Sequence, residues 1–428
     1  MADAMSRNHS IWFALVAGAA WLLSVPAASA STLDVPPTPG GLARAVAAAN
    51  PGDVLRLGPG IHRGPVIIGK PLTLNGDNQA VVDGGGASRV ITVAAPGVVV
   101  RQLTVRGSGR LLETEDSGVY VTEDGDGAII EDNTISGNLI GVNLKGPDNA
   151  VVRGNRIQGL TDMRVNERGN GVQLWNTPGS VIENNRITGG RDGIFTTTSR
   201  NNVFRGNTFK ETRIAVHYMY TNDSIVSDNV SIGNHVGYAL MFSKNLIVRG
   251  NLSQGDRDHG ILLNYANKAR IEGNSVRNGK TKCVFIYNSS KNTFRRNRFE
   301  GCAIGIHFTA GSERNTFTEN AFIGNRHQVK YVGTRWLDWS VAGRGNYWSD
   351  NPAFDLDGDG LGDAAYRPND MVDEVLWAYP VAKLLLNSPA VQTLRWAQSR
   401  FPALHPGGVV DSAPLMKPPT PSLTVRRP

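Results

Sequence analysis

The chain has very few cysteines. Cys283 and Cys302 are the only two among 428 residues, so disulfide bonds cannot organise a fold of this size. When the repeats described below are aligned, the two positions lie about three residues out of register, roughly 10 Å along a strand. We therefore expect two buried, unpaired thiols, with a disulfide and metal ligation as the alternatives.

Long apolar runs are also scarce. One run, Ile11 to Val25, follows Arg7 and His9 and precedes a small-residue cleavage motif at residues 28–30. This is the pattern of a secretory signal peptide, which we assign to residues 1–30. No second run reaches the roughly 18 apolar residues that a membrane-spanning helix needs. We expect export to the periplasm, with membrane contact only through a partner.

Charge of one sign is not concentrated in any segment. The formal net charge is +7, and it stays +7 without residues 1–30, because that segment holds one Asp and one Arg. The basic residues form no arm. Together with export, this dispersed charge argues against a nucleic-acid partner.

Asparagine, in contrast, recurs at a nearly fixed interval. Each copy closes a similar phrase, such as VVRGNRI or VIENNRI, and successive copies are separated by 22, 30, 22, 22, 22, 23, 23, 23 and 26 residues. A period this constant indicates one supersecondary unit stacked many times. The residues are Asn133, Asn155, Asn185, Asn207, Asn229, Asn251, Asn274, Asn297, Asn320 and Asn346.

The repeat predicts an all-β fold, a right-handed parallel β-helix solenoid over residues 31–350. The 49 glycines suit a coil that turns sharply three times in each rung. We expect the asparagine column to point inward, where stacked amides bond one another and the neighbouring backbone. A short helix from Leu42 to Ala49 should cap the first coil.

Each regular rung has a second strand whose alternation separates inner from outer side chains. Val172, Ile194 and Val216 occupy the alternate positions whose side chains fill the interior. The positions between them face outward and carry aromatic, thioether, amide and imidazole groups. We name this set the outer row. It comprises Gln173, Trp175, Phe195, His217, Met219, Met241, Asn264, Phe285, Tyr287 and His307.

The outer row contains a candidate copper site. The repeat puts Met219 and Met241 at the same depth on adjacent rungs, with His217 two residues before Met219. Thioethers beside an imidazole suit Cu(I), which is a soft ion, and suit hard cations poorly. The alternative is that these side chains are apolar contacts for a partner.

Partner docking is predicted for the outer row and for a C-terminal segment. Residues 370–405 read as helical, broken by Pro380 and Pro389, with apolar positions on more than one face. An ordinary cap over the open end of the solenoid is the alternative for this segment. The predicted docking residues are Trp175, Phe285, Tyr287, Leu376, Trp377, Leu384, Leu385 and Trp396.

Two other segments interrupt the repeat. The interval of 30 residues before Asn185 marks an insertion near residues 162–168, and a loop on one side of a solenoid often serves binding. The tail over residues 406–428 is rich in proline, and we expect it to be disordered.

An aspartate- and glycine-rich loop occupies residues 351–369. Its carboxylates follow positions 1, 3, 5 and 9 of the calcium-loop pattern, but Tyr366 stands at position 12 instead of glutamate. A structural calcium ion is therefore a hypothesis, and a solvated turn is the alternative. The ligands would be Asp355, Asp357, Asp359, the carbonyl of Leu361, and Asp363.

A last cluster, Asp256–His259, suits acid–base chemistry on a sugar, as in β-helix lyases and epimerases acting on uronate polymers. Polar turn residues between rungs are the simpler interpretation. No second carboxylate cluster lies at the same column of a neighbouring rung, which weighs against an enzyme.

The C-terminal third carries a resemblance to a known family. It includes Gly345-Asn-Tyr-Trp-Ser-Asp, the stretch FDLDGDGLGDAAYRPNDMVDEVLWAYPVAKLLLNSPAVQTLRWAQSRFP and the segment PGGVVDSAPLM. These runs resemble the NosD family of periplasmic nitrous-oxide-reductase maturation proteins, and the similarity extends from Pro51 to Met416.

The resemblance implies a non-enzymatic accessory protein that works with an ABC-type ATPase and its permease to build the copper–sulfide centre of nitrous oxide reductase. A membrane-anchored copper chaperone and the apo-reductase are the further implied partners, and the cargo is copper or sulfur. This favours transient copper at His217, Met219 and Met241, and docking of the C-terminal helices on the permease. Weaker additions to the copper set are His307, Cys283 and Met163. A passive scaffold without metal contact is a third class.

Overall fold

The computed structural model shows a long coil of short parallel strands, which confirms the predicted parallel β-helix. The structure describes residues 30–420 except 310, 334, 371, 374, 376–378, 386–387 and 402–406. The predicted signal peptide, apart from its last residue, and the docking residues Leu376 and Trp377 therefore lie outside the described residues. Within the described ranges, no helix has the length and apolar character that crossing a bilayer requires.

Successive strands of the coil enter three sheets in turn, and each sheet runs along the solenoid. The first sheet has 13 strands. They are β1 (Thr32–Val35), β2 (Val54–Leu57), β5 (Thr73–Asn75), β8 (Val99–Arg101), β11 (Ile129–Glu131), β14 (Val151–Arg153), β17 (Val181–Glu183), β20 (Val203–Arg205), β23 (Ile225–Ser227), β26 (Ile247–Arg249), β29 (Arg270–Glu272), β32 (Thr293–Arg295) and β35 (Thr316–Thr318).

The second sheet also has 13 strands. They are β3 (Gly60–Arg63), β6 (Ala80–Asp83), β9 (Thr104–Arg106), β12 (Thr134–Asn138), β15 (Arg156–Gly159), β18 (Arg186–Thr188), β21 (Thr208–Lys210), β24 (Val230–Ile232), β27 (Leu252–Gln254), β30 (Ser275–Arg277), β33 (Arg298–Glu300), β36 (Ala321–Ile323) and β39 (Tyr347–Trp348).

The third sheet has 12 strands, and most of them are longer than those of the other two sheets. They are β4 (Val66–Ile68), β7 (Ile91–Val93), β10 (Ser117–Val121), β13 (Ile140–Lys145), β16 (Val172–Trp175), β19 (Asp192–Arg200), β22 (Ile214–Asn222), β25 (Val236–Met241), β28 (His259–Asn264), β31 (Lys282–Tyr287), β34 (Ile304–Thr309) and β37 (His327–Val332).

A left-handed residue turns the chain from the first sheet into the second. It stands directly before each ladder asparagine from Asn133 to Asn320, as at Gly154 with φ of 67° and Asn184 with φ of 54°. Glycine and asparagine adopt this conformation at low cost. The repeated phrases RGN and ENN in the sequence are therefore the turn itself.

The asparagine ladder lies inside the coil. The Oδ1 atom of Asn155 accepts hydrogen bonds from the main-chain N and from Nδ2 of Asn133, both at 3.0 Å. Asn155 in turn donates from Nδ2 to the carbonyl of Ile130 at 2.8 Å and to Oδ1 of Asn185 at 3.0 Å. The same pattern continues to Asn346. The ladder's amides are used in fixing the register, which is the structural role that we expected.

Both ends of the coil are covered. Helix α1 (Gly41–Ala48) buries Leu42 and Val46, matching the predicted cap closely. At the other end aromatic rings stack inside the coil, with the centroids of Phe317 and Trp339 4.0 Å apart. Large rings fill the last rungs, where no further rung follows to bury the apolar interior.

The two cysteines form a disulfide, so the expectation of unpaired thiols is wrong. Cys283 is the second residue of β31. Cys302 lies in the turn that leads into β34, one rung further on. Their Cα atoms are 5.7 Å apart. Counting positions along a straight strand overestimated the separation because the chain bends at this corner. Cys283 consequently offers no thiolate to a metal ion.

The described part of the tail, residues 407–420, differs from its prediction. Instead of being disordered there, the chain forms β40 (Gly408–Val410), which pairs in parallel with β38 (Trp336–Asp338) on the end of the solenoid. Val409 and Leu415 are buried there, and Asp411 has no exposed surface. The proline content of the tail concealed these few apolar anchors.

The C-terminal segment contains short helices, as the sequence indicated. A 3-10 helix spans Pro380–Leu385, and helix α2 spans Pro389–Arg400. Ser388 caps α2 by accepting a hydrogen bond from the main-chain N of Val391 at 3.4 Å. Proline at the first helical position is compatible with this start, since its missing N–H would have no helical partner.

Candidate functional site on the outer face of the third sheet

The outer row lies on the outer face of the third sheet, as predicted. Val172, Ile194 and Val216 are fully buried in the core, while the alternate residues are excluded from it. Two columns run along this face. Phe195 pairs with His217 in one of them, and Met219 pairs with Met241 in the other.

His217 is held by a carboxylate and leaves one nitrogen free. Its Nδ1 lies 3.0 Å from Oδ2 of Asp192 on the preceding strand. A carboxylate accepts, so Nδ1 carries the proton, and Nε2 of the neutral ring has a free lone pair. This Nε2 is buried and has no hydrogen-bond partner among the described residues. Histidines that bind metal ions are commonly oriented by a carboxylate in the same way.

Asp192 is itself fixed from a second direction. Arg213 donates to both of its oxygens, from Nε at 2.8 Å and from Nη2 at 2.6 Å. Burial opposes ionisation of Asp192, but the hydrogen bonds from His217 and Arg213 outweigh it and lower the pKa of the carboxyl. The carboxylate therefore stays charged and keeps the imidazole in one tautomer.

The methionine pair lies beside this histidine. Met219 and Met241 occupy neighbouring parallel strands, with Cα atoms about 4.8 Å apart, and His217 is two residues from Met219 on the same face, about 7 Å away. Both methionines are half-buried. Imidazole and thioether side chains are long enough to meet a single ion across these separations, so the residues present fit Cu(I).

Three weaker candidates do not join this cluster. His307 is four strands further along the sheet, about 19 Å away. Burial, with the nearby cations Lys282 and Lys330, lowers the pKa of His307 to about 4. Cys283 is in the disulfide. Met163 lies in the insertion, where its carbonyl accepts from Arg168 Nε at 2.8 Å.

The Asp256–His259 cluster is split between the inside and the outside of the coil. Asp256 is fully buried and accepts from the hydroxyls of Ser253 at 2.6 Å and Ser231 at 2.8 Å. Burial raises its pKa to about 6. Asp258 instead lies outside, 3.4 Å from Nε2 of His259. The two carboxylates cannot act together on one sugar, which favours the interpretation as turn residues.

The acidic loop brings its first three aspartates together. Carboxylate oxygens of Asp355, Asp357 and Asp359 lie within 4.8 Å of one another. The carboxylate of Asp363 instead accepts a hydrogen bond from the main-chain N of Leu356 at 2.9 Å. The loop also contacts the ordered tail, since Leu361 forms a bridge to Leu415. Calcium binding here stays a prediction.

The predicted docking residues fall into two exposed groups. Trp175 and Tyr287 are exposed on the outer row, and Phe285 is half-buried, with its ring next to those of Tyr287 and His307. In the C-terminal segment Leu384 is 87% exposed, Leu385 59% and Trp396 60%. Such exposure of large apolar groups is consistent with a contact surface.

Sequence reasoning missed two features of this face. Asp192 was not selected because its link to His217 joins residues 25 positions apart through the sheet register. Tyr220, Phe242 and Tyr265, which follow the methionine column by one residue, were also overlooked. An alignment of the rungs would have shown them as aromatic residues at a position where other rungs have asparagine, as at Asn176 and Asn288.

The fold and the face define a class of protein: a parallel β-helix with a histidine–methionine cluster on its outer surface. The comparison with protein families is more specific. The family model described as "Periplasmic copper-binding protein (NosD)" matches residues 154–353. This chain belongs to the NosD family.

Two curated relatives support the assignment over most of the chain. One, from Stutzerimonas stutzeri, is 40% identical over 386 residues, covering 87% of this chain and 88% of the relative. The other, from Pseudomonas aeruginosa, is 43% identical over 376 residues, covering 85% of this chain and 88% of the relative. Both are named "Probable ABC transporter binding protein NosD".

A solved structure shares the fold. The A-module of the Azotobacter vinelandii mannuronan C-5 epimerase AlgE6 superposes with a TM-score of 0.51 at 15% identity, covering 72% of this chain and 92% of the module. At that identity the likeness is one of architecture and does not transfer an activity.

Proposed function

We propose that this chain is a periplasmic accessory factor that works with an ABC transporter in assembling the copper–sulfide centre of nitrous oxide reductase. Membership of a family described as periplasmic and copper-binding supports this, as do relatives named for an ABC transporter. In this role the protein handles copper or sulfur as cargo and performs no catalysis of its own.

The free Nε2 of His217 is the observation that carries the proposal. A buried imidazole nitrogen without a partner is costly unless another group satisfies it. Cu(I) would satisfy it, with the thioethers of Met219 and Met241 as the other ligands. Two soft neutral ligands and one imidazole, half open to solvent, can release the ion to a stronger site.

The proposed partners follow from this role. A membrane-anchored copper chaperone supplies Cu(I), and the apo-reductase receives the assembled cargo. The permease and its ATPase form the transporter, and the exposed apolar residues of the C-terminal segment, Leu384, Leu385 and Trp396, contact the permease.

Competition for Cu(I) tests the cargo site. The mature chain is titrated with Cu(I) against a chelator and compared with a His217→Ala, Met219→Ala, Met241→Ala variant. We expect the variant to lose affinity by more than about 100-fold. A Met163→Ala, His307→Ala variant is the matched control and should bind as the native chain does. Equal affinity of the triple variant and the native chain would refute the site.

The competing function is a carbohydrate-active enzyme, since β-helices such as the mannuronan epimerase module share the fold. Incubating the native protein with polymannuronate and polyguluronate distinguishes the two functions. Epimerised or cleaved product would support the enzyme. A chain that neither binds Cu(I) nor alters these polymers would instead be a passive scaffold.

A further inference from the structure

Four basic side chains lie together on the third sheet, three of them against the ring of Phe285. We name His259, Lys282, His307 and Lys330 the basic cluster. Nζ of Lys282 lies 4.4 Å from the centroid of the Phe285 ring, and the rings of His259 and His307 have their centroids 5.3 Å and 4.9 Å from it. Phe285 is three strands beyond His217, roughly 14 Å along the sheet, so the basic cluster is separate from the proposed copper site.

The sheet register places these like charges directly opposite one another. His307 pairs with Lys330 on the adjacent strand, and the other two members pair in the same way on β28 and β31. Like charges in register oppose sheet formation. The first sheet instead sets opposite charges in register, as in the ion pair of Glu131 and Arg153 at 2.6 Å. Folding alone therefore gives no reason for the basic cluster.

The positive charge of the basic cluster is only partly offset. Burial and the charges of Lys282, Lys330 and His259 lower the pKa of His307 to about 4, and all of these charges are positive. Burial also lowers the pKa of Lys282, where the charge of Asp258 offsets part of the effect. The ring of His307 is consequently neutral at neutral pH. A negative charge placed beside it would be stabilised by the lysines.

Two members of the basic cluster can donate hydrogen bonds to such a charge. Nδ1 of His307 is buried and has no hydrogen-bond partner among the described residues. A buried lone pair is less costly to leave unpaired than a buried N–H, so the proton of the neutral ring is on Nε2. The half-buried ammonium of Lys282 packs on the face of Phe285. Lysine and imidazole donors beside an apolar ring can bind an anion.

The chemistry of the basic cluster selects the kind of anion. Phosphate and sulfate are matched best by the planar fork of arginine, and removing them from water is costly. The basic cluster contains lysine and histidine, and Phe285 adds only ring atoms. A singly charged anion of one heavy atom loses less hydration and can contact the positive edge of an aromatic ring. Hydrosulfide and chloride share these properties.

We infer that the basic cluster is a binding site for a small, singly charged anion, with Lys282 and His307 as donors and Phe285 as its apolar wall. The inference rests on the proposed function in one respect, because sulfur is one of the two cargoes named there and hydrosulfide is its simplest anionic form. Copper at His217 and hydrosulfide at the basic cluster would lie on one face of one sheet. The third sheet would then hold both components of a copper–sulfide centre separately.

Nuclear magnetic resonance of the histidine rings tests the site. The metal-free mature chain, carrying isotope-labelled histidine, is titrated with sodium chloride, sodium hydrosulfide or sodium sulfate, while sodium fluoride keeps the ionic strength constant. The spectrum of His307→Gln assigns the His307 signals. We expect these signals to shift saturably with chloride and hydrosulfide, and sulfate to bind at least about tenfold more weakly. Cys283 and Cys302 are buried, so hydrosulfide should leave their disulfide intact, which a thiol assay checks.

Lys282→Gln removes the ammonium and keeps a long polar side chain. We expect the affinity for chloride and hydrosulfide to fall by at least about tenfold in this variant. Lys268→Gln, at an exposed lysine in the turn after β28, is the matched control and should bind as the native chain does. Saturating chloride should also raise the pKa of His307 from about 4 toward its ordinary value of 6.5, because a bound anion stabilises the imidazolium. The rise should be absent in Lys282→Gln.

Three results would overturn the inference. They are the lack of a saturable shift at His307 with chloride and hydrosulfide, equal affinities in Lys282→Gln and the native chain, and sulfate binding as tight as that of chloride. If the site binds both small anions, hydrosulfide affinity at least about tenfold above that of chloride identifies sulfur cargo as the source. Equal affinities assign the site to chloride.

Chelator competition for Cu(I) on the same proteins separates this inference from the proposed function. Lys282→Gln should bind Cu(I) as the native chain does. If the native chain binds Cu(I) but neither small anion, the basic cluster is refuted as a site and the copper function stands. If it binds the anions but no Cu(I), the copper site fails and the anion site stands.

Discussion

The carboxylate of Asp411 accepts a hydrogen bond from the main-chain N of Asn346, 2.7 Å away and 65 residues earlier in the chain. It thereby takes the place that the next ladder asparagine would occupy. The same Oδ2 accepts from Nδ2 of Asn346 at 3.2 Å and from Nε1 of Trp348 at 2.8 Å. The tail thus ends the ladder by satisfying the donors of its last member.

Replacing this cap should loosen the end of the solenoid. In Asp411→Ala the main-chain N of Asn346 and Nε1 of Trp348 lose their acceptor, and we expect a loss of about 3 kcal/mol in the free energy of unfolding. Hydrogen exchange should accelerate at the amides of residues 346–348 before it does in the earlier rungs. Urea unfolding and exchange mass spectrometry measure the two effects.

Two variants calibrate that result. Asp411→Asn keeps one acceptor oxygen and should lose less than half as much stability as the alanine variant. Asp124→Ala, at an exposed aspartate, should change nothing. If Asp411→Ala unfolds within about 0.5 kcal/mol of the native chain, the tail does not cap the ladder.

The sequence predicted the features that depend on the repeat itself. The period gave the ladder, and alternation placed His217, Met219 and Met241 on one outer face, because a strand inverts successive side chains and stacking superposes equivalent positions. The features that were not predicted depend on contacts that neither the period nor the alternation describes. The Cys283–Cys302 bond crosses a corner between strands, and Asp192, the first residue of β19, bonds His217, which pairs with a residue three positions further along that strand.

The tail shows a different limit. Composition marks a proline-rich segment as unable to bury much apolar surface. The tail needs few buried contacts, because the end of the solenoid already supplies unpaired donors and a strand edge. Asp411 accepts from these donors, β40 pairs with the edge of β38, and Val409 adds an apolar anchor. No sequence pattern within the tail itself indicates that it fits the end of the solenoid in this way.

Asp256 should make stability depend on pH. Burial raises its pKa to about 6, while the unfolded chain has the ordinary value of 3.8. The native state therefore holds the proton between these values and the unfolded state does not, so stability falls as pH rises from about 4 to about 6. The loss is at most about 3 kcal/mol.

The Asp256→Asn variant isolates this contribution. Asparagine can still accept from the main-chain N of Asn234, which bonds Asp256 at 2.8 Å, and it does not titrate. Urea unfolding at closely spaced pH values should show a decline between pH 4 and 6 that is smaller in the variant by about 3 kcal/mol. Parallel curves for the two proteins would show that Asp256 is not responsible.

Calcium binding to the acidic loop should stabilise the contact between this loop and the tail. The main-chain N of Met416 donates to the carbonyl of Gly360 at 3.0 Å, and Gly362 donates to Pro414 at 2.8 Å. An ion at Asp355, Asp357 and Asp359 would hold this loop in place. At 100 times the Kd, calcium should add about 2.7 kcal/mol.

Differential scanning calorimetry with calcium or with a chelator measures the effect as a higher thermal midpoint. An Asp357→Asn, Asp359→Asn variant should show no calcium-dependent shift, whereas Asp124→Asn should respond as the native chain does. Magnesium, which prefers a smaller octahedral site, should shift the native midpoint much less. An identical midpoint with and without calcium would assign the loop to an ordinary solvated turn.

Asp192 should tune copper affinity without touching the ion. Its carboxylate fixes the Nδ1–H tautomer and the orientation of the His217 ring. In Asp192→Asn the amide can still hydrogen-bond the ring, but the negative charge is gone. We expect Cu(I) affinity to fall about 10- to 100-fold, a smaller loss than in the triple variant. Chelator competition measures it, and circular dichroism checks that the β-helix is intact.

A comparison at a second histidine separates this effect from a general loss of negative charge. Asp258 lies 3.4 Å from Nε2 of His259 on the same sheet, outside the proposed copper site. Asp258→Asn should leave Cu(I) affinity as it is. If both variants bind Cu(I) as tightly as the native chain does, Asp192 does not position His217 for copper. If both lose affinity equally, the charge of the whole face is what holds the ion.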